Sequence, residues 1–251
     1  MEHTPVPLSM KRIGAKKLYV FLVFCCVVVP LILVGGVIYS AFVFQRDTGI
    51  AWYDETVSRA IGHPPLYEFN LLLSIVGSIF LSFPTFAHYI QLGVIFRLYG
   101  RQDCCFRVAN IIAAILAFCQ YLFLILLYAI TASMNQPLHL IFAIACVVVA
   151  ITAIIIQSIL LIILRCRLNS NIYCDVVYYI VCCIVGFGGF VGWIIFVLAG
   201  EGNRPELYNV FEWVGYVSLF VFFMGYSITF YYDTTEDEIL KFITCQDCCP
   251  N

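Results

Sequence analysis

The run LYVFLVFCCVVVPLILVGGVIYSAFVF, from Leu18 to Phe44, contains no charged residue. A helix needs about 20 mostly apolar residues to cross a hydrocarbon core about 30 Å thick. This stretch is long enough to span, and too long for the apolar core of a secretory signal, which runs roughly 7–15 residues. No small-residue cleavage site follows it, so it reads as a retained span. Five further stretches have the same character: Glu68–Phe96, Arg107–Ala132, His139–Leu164, Cys174–Ala199 and Tyr208–Tyr231. The expected fold is all-α, a polytopic membrane bundle of six transmembrane helices. A basic tail over 1–17 precedes it, a loop over 45–67 joins the first two spans, and a tail over 233–251 follows.

Composition supports the same class. Of 251 residues, 63% are hydrophobic and 11% charged, and the mean hydropathy is +0.99. A soluble domain usually carries about a quarter charged residues, so this chain lacks the charge to build a water-facing surface. The net charge of −2 gives no basis for a nucleic-acid partner.

Orientation follows from lysine and arginine in the loops, which concentrate on the cytosolic side. Ten of the 13 Lys and Arg residues fall on one side, in the N-terminal tail, the second and fourth loops and the C-terminal tail. Arg46, Arg59 and Arg204 fall on the other. Both termini are therefore expected in the cytosol, with the 45–67 loop lumenal. None of the 13 cysteines lies in the three predicted lumenal loops, which argues against a disulfide-stapled exterior. The sequence also has no Asn-x-Ser/Thr glycan acceptor. Cys245, Cys248 and Cys249 form a juxtamembrane CxxC that is a weak metal or redox signal. S-palmitoylation is its better functional reading, against an inert reduced tail.

Polar residues inside the spans are few. Gln120 and Gln157 are expected to make interhelical hydrogen bonds, with substrate contact as the alternative. His88 and Tyr89, twenty residues or about 30 Å of helix beyond Glu68, are expected at the cytosolic interface. In GFGGFVG (Gly186–Gly192), the GxxxG pair Gly188 and Gly192 is expected to admit a neighbouring helix.

Spans two, four and six start on the lumenal side with Glu68, His139 and Glu212, and His63 and Glu206 lie just outside. Were the three helices to converge, two carboxylates and an imidazole would meet at headgroup level, able to move protons or hold a lipid hydroxyl. Glu68, His139 and Glu212 are thus candidate catalytic residues, and His63, Glu206 and Gln120 candidate substrate contacts. The plain reading of Asn209-x-x-Glu212 is a capping box, with the carboxylate favoured by the helix dipole. No GxSxG, HExxH, P-loop, dinucleotide glycine pattern or HxxxxD occurs, so no enzyme class rests on motifs. The spans also lack the repeated charges of an ion path.

Six spans with cytosolic ends, SRAIG (Ser58–Gly62) in the first loop, HY (His88, Tyr89) ending the second span and RLYGRQDCCFR in the second loop form a pattern. YNVFEW leading to TFYYDTTEDEIL completes it. The pattern resembles the FRAG/DRAM/SFK superfamily and, within it, the branch of post-GPI attachment to proteins factor 2. The resemblance implies fatty-acid remodelling of GPI-anchored proteins in the Golgi, or the endoplasmic reticulum, by reacylation of a lyso-anchor with a saturated chain. The chain would act as acyltransferase or as its essential accessory, with an acyl donor lipid or acyl-CoA and no other cofactor. Its partners would be GPI-anchored proteins and membrane lipids. The DRAM branch shares FEW and the following Asp, and implies a non-enzymatic regulator of lysosomal or plasma membranes instead. On the charge rule, protease added to sealed microsomes should remove a tag from either chain end and spare one in the 45–67 loop. The opposite pattern would reverse the assignment of sides.

Overall fold

The computed structural model describes residues 8–51, 56–99, 104–168, 174–199 and 205–233. Its helices in chain order are α1 (Leu8–Thr48), α2 (Val57–Ile61), α3 (Tyr67–Tyr99), α4 (Cys104–Ala129), α5 (Ala132–Leu168), α6 (Cys174–Ala199) and α7 (Pro205–Asp233). All but α2 are long and apolar enough to cross a membrane, so the chain is an all-α, multi-pass membrane bundle. Helix α2 lies within the 45–67 loop, and nothing in the apolar pattern announces it.

The helix ends have local causes. Helix α1 stops where Gly49 adopts φ +75° and its N–H donates to the Gln45 carbonyl at 2.9 Å, a left-handed ending that suits glycine. Helix α5 breaks at Asn135 (φ −157°, ψ 89°), and the Asn135 side chain accepts the Leu138 N–H at 3.1 Å. That side chain caps the long segment that follows. Helix α7 begins at Pro205, a residue suited to a first turn because its missing N–H would have no helical partner anyway.

The six long helices form a ring. Each packs against the next in chain order, α2 aside, and α7 closes on α1. The α4–α5 and α6–α7 contacts are extensive, whereas α5 and α6 meet more loosely. Lipid offers helices no hydrophobic drive to associate, so polar groups and small residues set the packing. Ser40, Asn70, Thr85, His88, Gln120 and Gln157 are buried, while large apolar side chains such as Leu72, Ile141 and Ile184 face outward. Asn70 Nδ2 donates to Ser40 Oγ at 2.9 Å and to the Ile61 carbonyl at 3.0 Å, tying α1, α2 and α3 together. The Tyr226 hydroxyl donates to Gln157 Oε1, the interhelical bond expected of Gln157. His88 is buried and stacked on Tyr226 with ring centroids 4.5 Å apart, facing into the bundle.

The glycine run differs from its expected use. A Cβ at Gly189 would stand 2.9 Å from the Gly215 backbone nitrogen, and one at Gly192 would stand 2.6 Å from the Phe211 ring. At Gly188 nothing lies within 4 Å. The close approach of α6 to α7 therefore runs through Gly189 and Gly192, spaced i, i+3, because α7 sits on that face and not on the Gly188 face. Gly189→Leu should over-pack this seam at a cost of about 1–3 kcal/mol. It should lower the melting temperature of the detergent-solubilised protein, measured by size exclusion after heating, while Gly188→Leu leaves it unchanged.

Candidate functional site

Helix α2 is a single short turn carrying most of SRAIG, and it lies against one end of the bundle. Its N-cap is Thr56, whose hydroxyl accepts the Arg59 N–H at 3.1 Å. The Val57 and Ser58 donors go to a residue 155 and 154 positions away. Glu212 Oε2 accepts the Val57 N–H at 3.2 Å, and Glu212 Oε1 accepts the Ser58 N–H at 3.3 Å and the Ser58 hydroxyl at 2.7 Å. The first N–H groups of a helix have no partner within it, and a carboxylate is the strongest acceptor a protein can give them. At its other end α2 is held by Asn70 on the Ile61 carbonyl. Gly62 fits there because a Cβ would come within 3.1 Å of Thr131. Between the two ends, Ala60 packs with Ala41, Phe44 and Trp213.

Clamped this way, α2 roofs a cavity. Val57, Ser58 and Ile61 form its ceiling and Glu212 stands beside them. The cavity holds about 610 Å³ of free space including its mouth. Its walls come from α4, α5, α6 and α7 and are mainly apolar: Leu124, Val147, Phe190, Trp193 and Leu219 among them. The polar groups are Ser58 and Glu212 at the ceiling and a pair of tyrosines, Tyr128 and Tyr216, whose hydroxyls are hydrogen-bonded to each other. The arrangement can hold a long apolar body with one polar end, and it places a carboxylate against a hydroxyl at that end.

The expected cluster of Glu68, His139 and Glu212 does not form. Glu68 is exposed on α3. His139 is buried, and its Nδ1 engages the Ile130 carbonyl at 2.6 Å, so it braces the α4–α5 turn outside the cavity lining. Its Nε2 has no hydrogen-bond partner among the described residues. All three lie near the start of their spans, but they face different surroundings. His63 pairs with Asp47 (Nε2 to Oδ2, 3.4 Å) and packs edge-on against Phe44. Glu206 lies in the first turn of α7, and its side chain falls outside what the structure describes. Gln120 is buried on α4, but it does not line the cavity, and its amide nitrogen has no hydrogen-bond partner among the described residues. Cys245, Cys248 and Cys249 lie outside the described residues. Among those residues no three His, Cys, Asp or Glu side chains gather where they could hold a metal.

The capping-box reading of Glu212 is also corrected. Helix α7 starts at Pro205, so Asn209 is already in its second turn and buried. Glu212 caps a helix, but the helix is α2 and not its own. Ser58, Tyr128 and Tyr216 are the site residues that the sequence reading passed over. For Tyr216 a signal was present, since it follows Glu212 by four residues and so shares its face of α7.

No protein-family model, curated protein or solved structure matches the chain.

Glu212→Ala would leave two backbone N–H groups and a hydroxyl without their acceptor, at a cost of about 1–3 kcal/mol. Ser58→Ala removes one hydrogen bond and should cost about 1 kcal/mol. Heating the detergent-solubilised proteins should rank them wild type, Ser58→Ala, Glu212→Ala in falling stability. Protease should cut the 45–67 loop fastest in the last.

Proposed function

We propose that the chain remodels the lipid of GPI-anchored proteins, reacylating a lyso-anchor with a saturated chain in the Golgi membrane. One observation carries the reading: a hydrogen-bonded serine–carboxylate pair closes the polar end of a cavity whose walls are mainly apolar, inside a multi-pass bundle. SRAIG and FEW, two of the pieces that carry the resemblance, make this contact through Ser58 and Glu212.

The chemistry asked of the site is acyl transfer. The lyso-lipid hydroxyl loses its proton to a base and its oxygen attacks the carbonyl carbon of an acyl donor, a phospholipid or acyl-CoA. One ester bond forms, the donor's ester or thioester bond breaks, and the proton leaves with the departing group. Glu212 is the residue that would receive and return that proton. Ser58 marks the position of the incoming hydroxyl. The apolar walls would hold the chain in register, and such positioning is a large part of any transfer between two bound reactants.

A second reading has its own support. Three hydrogen bonds to α2 are what a purely structural cap requires, and this fits a non-enzymatic regulator of the DRAM kind. Cells lacking the gene separate the two. Wild-type protein should restore saturated chains in GPI anchors, measured by mass spectrometry, and surface levels of GPI-anchored proteins, measured by flow cytometry. Glu212→Gln, at matched protein level, should restore neither. Full rescue by Glu212→Gln would favour the regulator, and unchanged anchors in the deleted cells would reject the remodelling role.

A further inference from the structure

The roof over the Glu212 cavity is held at both ends, so a ligand would enter without displacing α2. Below the cavity a second crevice of about 300 Å³ runs between α5 and α6 against α7, bounded by Ile154, Ile155, Cys183, Gly186 and Phe187. Ile155 and Phe187 are 41% and 52% exposed on the outer face of their helices, within the spans, so this crevice borders the bilayer. The two spaces share the walls Phe190 and Leu219. Phe190 stands between them because Gly215 has no side chain; a Cβ there would meet its ring at 2.8 Å. The crevice follows the seam where neighbouring helices meet most loosely.

We propose that one acyl chain of a bilayer lipid enters sideways between α5 and α6, passes Phe190 and fills the cavity with its ester or hydroxyl end at Ser58 and Glu212. The medium outside the seam is acyl chain, the walls inside are apolar, and the polar groups collect at the far end under α2. The space is partly open and its lining mainly apolar, and the available molecule that matches it in both polarity and form is a lipid tail. Phe190 acts as the divider, and its ring determines how much of the chain passes from crevice to cavity. The proposal rests on reading the Glu212 cavity as a lipid site and not on that lipid being a GPI anchor.

The seam can be locked. Ser158 Oγ on α5 lies 3.2 Å from Cys183 Sγ on α6, so Ser158→Cys places two thiols where oxidation can join them across the crevice. Full-length protein in phosphatidylcholine nanodiscs, with a trace of phosphatidylcholine carrying a photoactivatable acyl chain, is irradiated and its labelled peptides are mapped. Wild type should be labelled at cavity walls, around Val147, Phe190 and Trp193, and on the outward face of α6 around Ile184. Oxidised Ser158→Cys should lose the cavity label several-fold, keep the outward label and regain the cavity label on reduction. In Phe190→Ala, label from a probe at the chain's end should extend further toward Tyr128 and Tyr216.

Outward label with a bare cavity in the wild type would overturn the proposal. So would cavity label that persists with the seam bridged, since access would then lie elsewhere, or cavity label from a sterol probe alone. Because oxidation and reduction are read on one folded protein, a folding defect cannot imitate the result. Should the cavity label as expected while anchors in deleted cells are unchanged, the lipid site stands and the GPI reading falls.

Discussion

The carboxylate of Glu212 on the N-terminus of α2 is the contact on which this end of the bundle depends. A helix of five residues cannot form alone, because nucleation costs more than so few hydrogen bonds return. Its first N–H groups would face a partly buried site with no acceptor. Glu212 meets both needs from a helix that is itself fixed in the ring. The carboxylate therefore stands at the mouth of an apolar span because that is the height at which α2 lies. Asn70 does for the C-terminal end of α2 what Glu212 does for the start. A short turn held only by its apolar residues could slide over the bundle, whereas one hydrogen-bonded at both ends is held in position.

The cavity beneath persists for a related reason. Protein interiors normally close around voids, but here the walls are pinned by specific contacts between the helices. Gly189 and Gly192 draw α6 onto α7, and the tyrosine pair fixes α4 against α7 across the cavity. On α5 the residues facing the space are the small Ala143, Cys146 and Val147, and on α6 they are the large Phe190 and Trp193. With α6 committed to α7, the gap is left at the α5–α6 seam.

The parts of this structure that depend on depth could be read from the chain, and the parts that depend on direction could not. Span number follows from bilayer thickness, so the six long helices are visible in runs such as Leu18–Phe44. The burial of Gln157 follows from the cost of polar groups in lipid. Which way a residue near the start of a span points is not encoded by its height. Glu68 and Glu212 both begin a span, yet one faces out and the other meets α2. The same loss of direction put Gly188 beside Gly192 in the expected seam, where the close approach is at Gly189. Asn209-x-x-Glu212 misled because i, i+3 is also the spacing of any two neighbours on a helix face, and Pro205 had already started the helix. Helix α2 was invisible because VSRAI is too short to show a period. Its partner in the fold is 154 residues away.

A structural cap and a site for a lipid hydroxyl need not compete for Glu212. The three donors from α2 differ in kind. Two are backbone N–H groups, which cannot leave without unwinding α2. The third is the Ser58 hydroxyl, which turns about a single side-chain bond and faces the cavity. A ligand hydroxyl that takes its place exchanges one O–H···O⁻ bond for another, so the hydrogen-bond count on the carboxylate is conserved while the helix stays clamped. On the proposed reading, the same residue would keep the roof closed and recognise what lies beneath it. Ser58 would then be the resident group that holds the position until a lipid hydroxyl arrives.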